Sequence, residues 1–158
     1  MDYFVYLKLE RYLAEWYINE SGGNPVTLKK GSAESDLLEL FLQKQPPDTL
    51  PDTGKDSNVA IRIPCFKYKD PRTYNHLPKL ARKALERTIY IRFRVQMWNE
   101  LYRLDNTECC ITDLIYAWME KHGITPDEKN WENIRQMYLR KRNSYRKCKK
   151  NVTTCNTD

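Results

Sequence analysis

Apolar residues recur every three or four positions across the middle of this chain, and this repeat limits the possible folds more than any other feature. Its members are Ala81, Leu85, Ile89, Phe93, Met97, Leu101 and Leu104. Such spacing places one apolar stripe along one side of a helix. Residues 89–95 also alternate in the manner of a strand, but the stripe continues on both sides of them. The repeat therefore predicts a long helix over 79–104, with Pro78 at its entrance.

The residues before this helix mix strand and helix patterns. Aromatic and β-branched runs predict strands at 3–9, 26–29 and 59–63. Helical spacing predicts helices at 10–20 and 33–44. Ser32 comes just before the second helix, and its side-chain oxygen predicts an N-cap there.

These elements predict an α+β fold, with a small N-terminal sheet and covering helices followed by a mostly helical C-terminal half. We expect a small α/β region at 1–76, a helical region at 77–150 and a disordered tail at 151–158. A proline-containing stretch at 45–58 is predicted to be a loop. The order of the strands does not follow from these patterns.

Local signals near the C-terminus predict two further helices. The first covers 112–121, with Thr112 as its N-cap and Gly123 in the left-handed position just after its end. Residues 125–128 (TPDE) have the form of a capping box with proline at the first helical position. They predict a second helix over 126–147.

Two helices joined by a short glycine-containing turn resemble the helix-turn-helix of DNA-binding proteins, here over residues 112–147. The match is incomplete, because the second-helix positions that are usually buried would fall at Lys129 and Glu132. The apolar residues are instead Trp131 and Ile134. A plain helical hairpin with a structural role is the alternative interpretation.

The strongest functional signal is a run of cations in the second of these helices. Between residues 135 and 150 every charged side chain is basic. The net charge is −4 through Ala60 and +10 from Ile61 onward, so we expect the second part of the chain to approach a polyanion. Nucleic acid is the predicted partner, with duplex DNA favoured. A basic face that is only solvated, or paired with acids of the same chain, is the alternative.

Two groups of residues are predicted to make the contacts. The candidates on the basic helix are Arg135, Gln136, Arg140, Arg142, Asn143, Arg146 and Lys147. The cations among them would neutralise phosphates, and the two amides would reach base edges. About five neutralised phosphates imply a log–log salt slope of about −4 to −5. Residues 65–77 are predicted to form a basic, aromatic loop. The second group lies in this loop and comprises Lys67, Lys69 and Arg72, interleaved with aromatic residues that are able to stack on unpaired bases. A surface loop anchored by its aromatics, without a binding role, is the alternative there.

No enzyme motif competes with this signal. The sequence contains no glycine-rich phosphate loop, no Gly-x-Ser-x-Gly and no His-Glu-x-x-His. We therefore predict no catalytic residues and no cofactor, and the spacing of the five cysteines does not favour a metal site or a disulfide framework. Neither a signal peptide nor a membrane span is predicted, which favours the cytoplasm. No small-molecule ligand is indicated. A non-catalytic protein–protein interaction module, binding another protein or forming a homodimer, is the alternative function.

Three segments carry a resemblance to a known family: YFVYLKLERYLAEW at 3–16, DPRTYNHL at 70–77 and IYAWMEKHGIT at 115–125. They resemble a small family of gut Bacteroidetes proteins that has no assigned activity and is carried on prophage or other mobile elements. The resemblance implies a role in mobile-DNA biology. It implies no catalytic residues.

Overall fold

The computed structural model describes residues 1–105 and 107–154, with side chains through Asn151. The fold class is α+β, as predicted, with short strands in the N-terminal part and a mostly helical C-terminal half. The chain forms two compact units, unit 1 (Met1–Phe93) and unit 2 (from Arg94 onward). This division falls inside the long central helix and not at residue 76, the predicted boundary.

Unit 1 contains two small sheets. The strands are β1 (Phe4–Leu7), β2 (Val26–Thr27), β3 (Gln43–Lys44), β4 (Val59–Arg62) and β5 (Tyr74–His76). In the first sheet β4 is central, antiparallel to β1 and parallel to β2. The second sheet pairs β3 with β5 antiparallel. Residues 43–44, which were predicted to end a helix, thus pair with a strand inside the loop predicted at 65–77.

Two helices accompany the sheets of unit 1, α1 (Arg11–Ser21) and α2 (Ala33–Phe41). The predicted cap of α2 is confirmed, because the backbone N–H of Ser35 donates to Oγ of Ser32 at 3.3 Å. The core of the unit is apolar and aromatic. Fully buried members include Leu7, Trp16, Tyr17, Leu38, Ile61, Leu85, Ile89 and Phe93.

The central helix, α3 (Lys79–Asp105), confirms the prediction from the apolar repeat. Residues 89–95 are helical throughout despite their alternating pattern. The stripe from Ala81 to Leu101 is buried, whereas Leu104 is 40% exposed. A strict four-residue spacing advances about 40° around the helix at each step, so the stripe rotates away from a fixed direction as the helix proceeds.

Unit 2 adds α4 (Ile111–Lys121), whose end follows the predicted glycine signal. Gly123 has φ 69°. The N–H of Ile124 donates to the carbonyl of Met119 at 2.9 Å, which closes the helix in the manner of a Schellman motif. The start of α4 differs from the prediction, because Cys110 and not Thr112 occupies the N-cap position.

The last helix, α5 (Glu128–Thr154), begins later than the capping box predicts. Oδ1 of Asp127 accepts a hydrogen bond from the N–H of Asn130 at 2.8 Å, so Asp127 is the N-cap and the assignment of that role to Thr125 is wrong. The carbonyl of Thr125 instead accepts from the buried side chain of Asn130 at 3.0 Å. The connection between α4 and α5 therefore spans 122–127, longer than the three- or four-residue turn of a helix-turn-helix.

α5 also extends beyond its predicted end at residue 147. Its last described residues, 151–154, are helical, although they were predicted to belong to a disordered tail. The rest of that predicted tail, 155–158, lies outside the described residues. Within the described ranges, no helix combines the length and the apolar composition that a bilayer span requires.

Candidate nucleic-acid interface

α5 packs within unit 2 through one side. Ile134 and Tyr138 are fully buried on that side, and Tyr145 is 37% exposed. The hydroxyl of Tyr138 donates to Oδ2 of Asp105 at 2.8 Å. Burial and this hydrogen bond raise the pKa of Tyr138, so the phenol remains protonated and the contact persists at neutral pH. The contact fixes the rotation of α5 about its own axis against the end of α3.

The same carboxylate holds one of the predicted interface cations. Nη1 of Arg142 lies 3.2 Å from Oδ2 of Asp105, with side chains 21% and 13% exposed respectively. The Arg142 guanidinium also lies over the ring of Tyr138, 5.9 Å from its centre. Arg142 therefore belongs to the packed side of the helix.

Two further candidates are tied to an acid at the start of α5. Nη1 of Arg135 lies 3.3 Å from Oε1 of Glu132, and the side-chain amide of Gln136 donates to the same oxygen at 2.9 Å. The Arg135 guanidinium lies over the ring of Trp131, which stacks on Tyr116 with ring centres 5.5 Å apart. Because the Arg135 side chain is 39% exposed, this pair is surface-exposed and weak.

The remaining candidates on α5 are exposed. They are Arg140, Asn143, Arg146 and Lys147. Among the residues that the structure describes, no carboxylate forms an ion pair with the three cations of this set. No acidic residue occurs in the sequence between 133 and 157, so the helix itself supplies no neighbouring counter-charge.

Helical geometry places four of the candidates on one outward row. Gln136, Arg140, Asn143 and Lys147 follow one another at spacings of four, three and four, which keeps them on the side opposite Tyr138. All four are exposed. At a rise of about 1.5 Å per residue, the row is about 16 Å long. We call these four residues the outward row.

An aromatic cluster that the sequence did not reveal lies on the other side of α5. Trp98 and Tyr102 of α3 stack on each other with ring centres 4.7 Å apart, and both contact Tyr145. Lys141 lies 6.0 Å from the centre of the Trp98 ring, and Lys149 lies 5.2 Å from that of Tyr145. These two lysines thus face aromatic rings and not the outward row.

A second group that the sequence did not reveal fixes the end of α4. Oε2 of Glu100 accepts from Nε1 of Trp118 at 2.7 Å and lies 2.7 Å from Nε2 of His122. Desolvation raises the pKa of Glu100, but the hydrogen bonds from His122 and Trp118 outweigh it and the net shift is downward. His122 is the C-cap of α4 and is only 4% exposed.

The second predicted patch is largely occupied by contacts within unit 1. Nζ of Lys69 donates to the carbonyls of Leu40 and Leu42 at 3.1 and 2.9 Å. Arg72 binds Asp70 through Nε and Nη2 at 3.0 and 2.8 Å, and these hydrogen bonds lower the pKa of Asp70. Lys67 lies over the ring of Tyr68, 5.1 Å from its centre, and is exposed.

Comparisons with protein-family models, curated proteins and solved structures returned no match to this chain.

Proposed function

We propose that this protein binds nucleic acid, duplex DNA in the first instance, through the outward row of α5. The observation that carries this proposal is an exposed row in which cations and amides alternate on a helix that lacks acidic residues after Glu132. A row of unpaired cations on one face of a helix is an electrostatic match for a phosphate backbone.

The cations and the amides of the outward row would make different contacts with DNA. Arg140 and Lys147, about 10 Å apart along the axis, would bind phosphates and release condensed counterions. Asn143 would reach the edge of a base, since side-chain amides pair well with adenine. Gln136, one helical heptad earlier, would do the same after its amide releases Glu132. An α-helix about 10–12 Å across fits the major groove of B-DNA.

The pairing of Arg142 with Asp105, and in part that of Arg135 with Glu132, lowers the salt dependence expected from the five cations of α5. Arg140, Arg146 and Lys147, with a partial contribution from Arg135, neutralise about three to four phosphates, which corresponds to a slope of about −3. Fluorescence anisotropy with a labelled random duplex should then show affinity falling about 60-fold between about 50 and 200 mM salt. Absence of binding at low salt would refute the proposal.

We further propose a non-enzymatic role in regulation or mobile-element maintenance in the cytoplasm. Its support is the family resemblance of residues 3–16, 70–77 and 115–125. Comparison of binding to supercoiled plasmid and to short random duplexes would test whether the protein acts as a general DNA-binding protein. A strong preference for one sequence, found by selection from a random pool, would instead favour a regulator.

The second candidate function is protein–protein interaction, and a patch in unit 1 favours it. Leu40, Phe41 and Tyr68 are 71%, 45% and 79% exposed, and the contact of Lys69 with the Leu40 carbonyl brings their segments together. Replacement of Leu40 and Phe41 by Ser should abolish capture of a protein partner and leave DNA binding unchanged. If DNA binding falls instead, this patch does not have a separate function.

A further inference from the structure

Unit 1 contains a polar cavity of about 320 Å³. It lies at the end of α1, beside the segment that follows β2 and the start of α2, with one side chain from α3. Its polar lining includes Tyr17, Glu20, Lys29, Ser32, Glu34 and Arg92. This volume lies at the lower end of the range for small-molecule sites, about 300–1,000 Å³.

A buried acid and a half-exposed base form one wall of the cavity. The Glu34 side chain is 1% exposed and contacts Nη1 of Arg92, whose side chain is 46% exposed. The guanidinium lies over the rings of Trp16 and Tyr17, 5.6 and 5.9 Å from their centres. A buried carboxylate requires a neighbouring cation. Glu34 therefore occupies one edge of the Arg92 guanidinium, at Nη1. A guanidinium has further N–H donors, and no other acceptor for them occurs among the described residues.

The hydroxyl of Tyr17 is the second unmatched donor. Tyr17 is 1% exposed and lines the cavity, and its hydroxyl has no hydrogen-bond partner among the described groups. Burial raises its pKa, and the nearby Glu34 carboxylate raises it further, so the hydroxyl remains protonated and is a donor. Buried hydroxyls are normally paired. The hydroxyl oxygen itself is buried, so an acceptor that bonds both this hydroxyl and the open edge of Arg92 must displace the atoms that cover the hydroxyl.

We propose that the cavity binds a small molecule through a carboxylate group, which accepts from the Tyr17 hydroxyl and the open edge of Arg92 and is attracted by Lys29. Guanidinium donors match the geometry of a carboxylate. Glu34 balances the charge of Arg92, so the open edge of Arg92 supplies hydrogen-bond donors and Lys29 supplies the attraction for the charge of the ligand. The ligand is an organic acid or an amino acid; the ammonium group of an amino acid would meet Glu20. The inference uses no residue of α5 and is independent of DNA binding.

NMR titration of the whole ¹⁵N-labelled protein tests the proposal with three probes of similar size: butanoate, 2-aminobutanoate and butanamide. We expect saturable shifts at Tyr17, Lys29 and Arg92 with a dissociation constant of about 1 mM, as befits so small a ligand, and at least tenfold weaker binding of the uncharged amide. Tighter binding of 2-aminobutanoate than of butanoate would identify the ligand as an amino acid, and the reverse would identify an organic acid. No saturable shift with either carboxylate, or equal binding of butanamide, would overturn the proposal.

Two variants test the donors without removal of the buried ion pair. Tyr17→Phe keeps the ring and removes the unmatched hydroxyl, so it should weaken butanoate binding about tenfold without lowering the melting temperature. Lys29→Gln changes an exposed side chain and should weaken binding severalfold. Arg87→Gln, an exposed cation of α3 outside the cavity, is the matched control and should bind as the wild type does. Equal affinity of Tyr17→Phe and the wild type would overturn the assignment.

Discussion

The basic helix α5 and the loop at 65–77 have similar side chains but different surroundings. Both interleave cations with aromatic rings. In the loop, Arg72 is two residues from Asp70 and binds it, and Lys69 binds two backbone carbonyls of unit 1. On α5, Arg140 and Lys147 have no acid in reach along the helix. The supply of nearby acceptors, and not the number of cations, therefore decides which region presents free positive charge.

Arg142 shows that a distant acid can have the same effect inside the basic helix. Its partner, Asp105, is 37 residues earlier in the chain and also accepts from Tyr138. A count of cations along α5 thus overstates the charge that an external anion meets. The difference between paired and unpaired cations can be tested in both regions.

The largest expected effect comes from removal of the acid that binds Arg142. Asp105→Ala leaves the Arg142 guanidinium, with its side chain 21% exposed, without its carboxylate, and the Tyr138 hydroxyl without an acceptor. We expect a loss of about 2–4 kcal/mol in the free energy of unfolding, measured by urea denaturation. The matched change in the exposed loop pair, Asp70→Ala, should have no measurable effect. Equal losses of unfolding free energy in Asp105→Ala and Asp70→Ala would contradict the distinction between the buried and the exposed pair.

The next effect concerns binding. Replacing Arg140 and Lys147 together by Gln removes two phosphate contacts and should reduce the magnitude of the salt slope by about 2, with affinity at about 100 mM salt at least about tenfold weaker. The same double replacement of Lys69 and Arg72 should change affinity less than about twofold, provided that the loop folds as before. Anisotropy titrations of both variants make the comparison. A larger loss from the loop variant would assign the interface to the wrong region.

A smaller effect concerns one helix N-cap in each unit, Ser32 of α2 and Asp127 of α5. Asp127→Ala removes the acceptor for the Asn130 N–H and should cost about 1 kcal/mol of stability, as should Ser32→Ala at the start of α2. Thermal denaturation followed by circular dichroism measures both. If Thr125→Ala is costly and Asp127→Ala is not, then the capping box that the sequence suggests is correct after all.

The smallest expected effect is a dependence on pH. The folded pKa of Glu100 lies below its usual value, which is about 4.3. Its contribution to stability is therefore complete above that value and is lost as the pH falls through the folded pKa. Glu100→Gln should flatten this acidic limb of the melting temperature between about pH 5 and 3. Asp70 also has a lowered pKa, but its pair is exposed and about 0.5 M salt should screen it. An unchanged acidic limb in Glu100→Gln would contradict the assignment.

Signals carried by neighbouring residues were predictable from the sequence. The apolar repeat predicted α3, Ser32 predicted the start of α2, and Gly123 predicted the end of α4, because each depends on residues within a turn or two. Asp127 was missed because residues 125–128 contain two possible caps, and local pattern does not decide between them.

Features that depend on distant residues were not predictable. The pairing of β3 with β5 joins two short polar segments with no strand pattern of their own. The partners Glu34 and Arg92 are 58 residues apart, and Asp105 and Arg142 are 37 apart. Only the fold reveals which cations acquire a carboxylate, and so which keep an unbalanced positive charge.

The most direct test of the central claim is a map of the residues that meet DNA. NMR chemical-shift perturbation with a short random duplex at low salt reports on α5 and on the loop at 65–77 in one experiment. We predict the largest shifts at Gln136, Arg140, Asn143 and Lys147, with Lys69 and Arg72 unaffected. Shifts confined to the loop, or none on α5 at saturating duplex, would contradict the account.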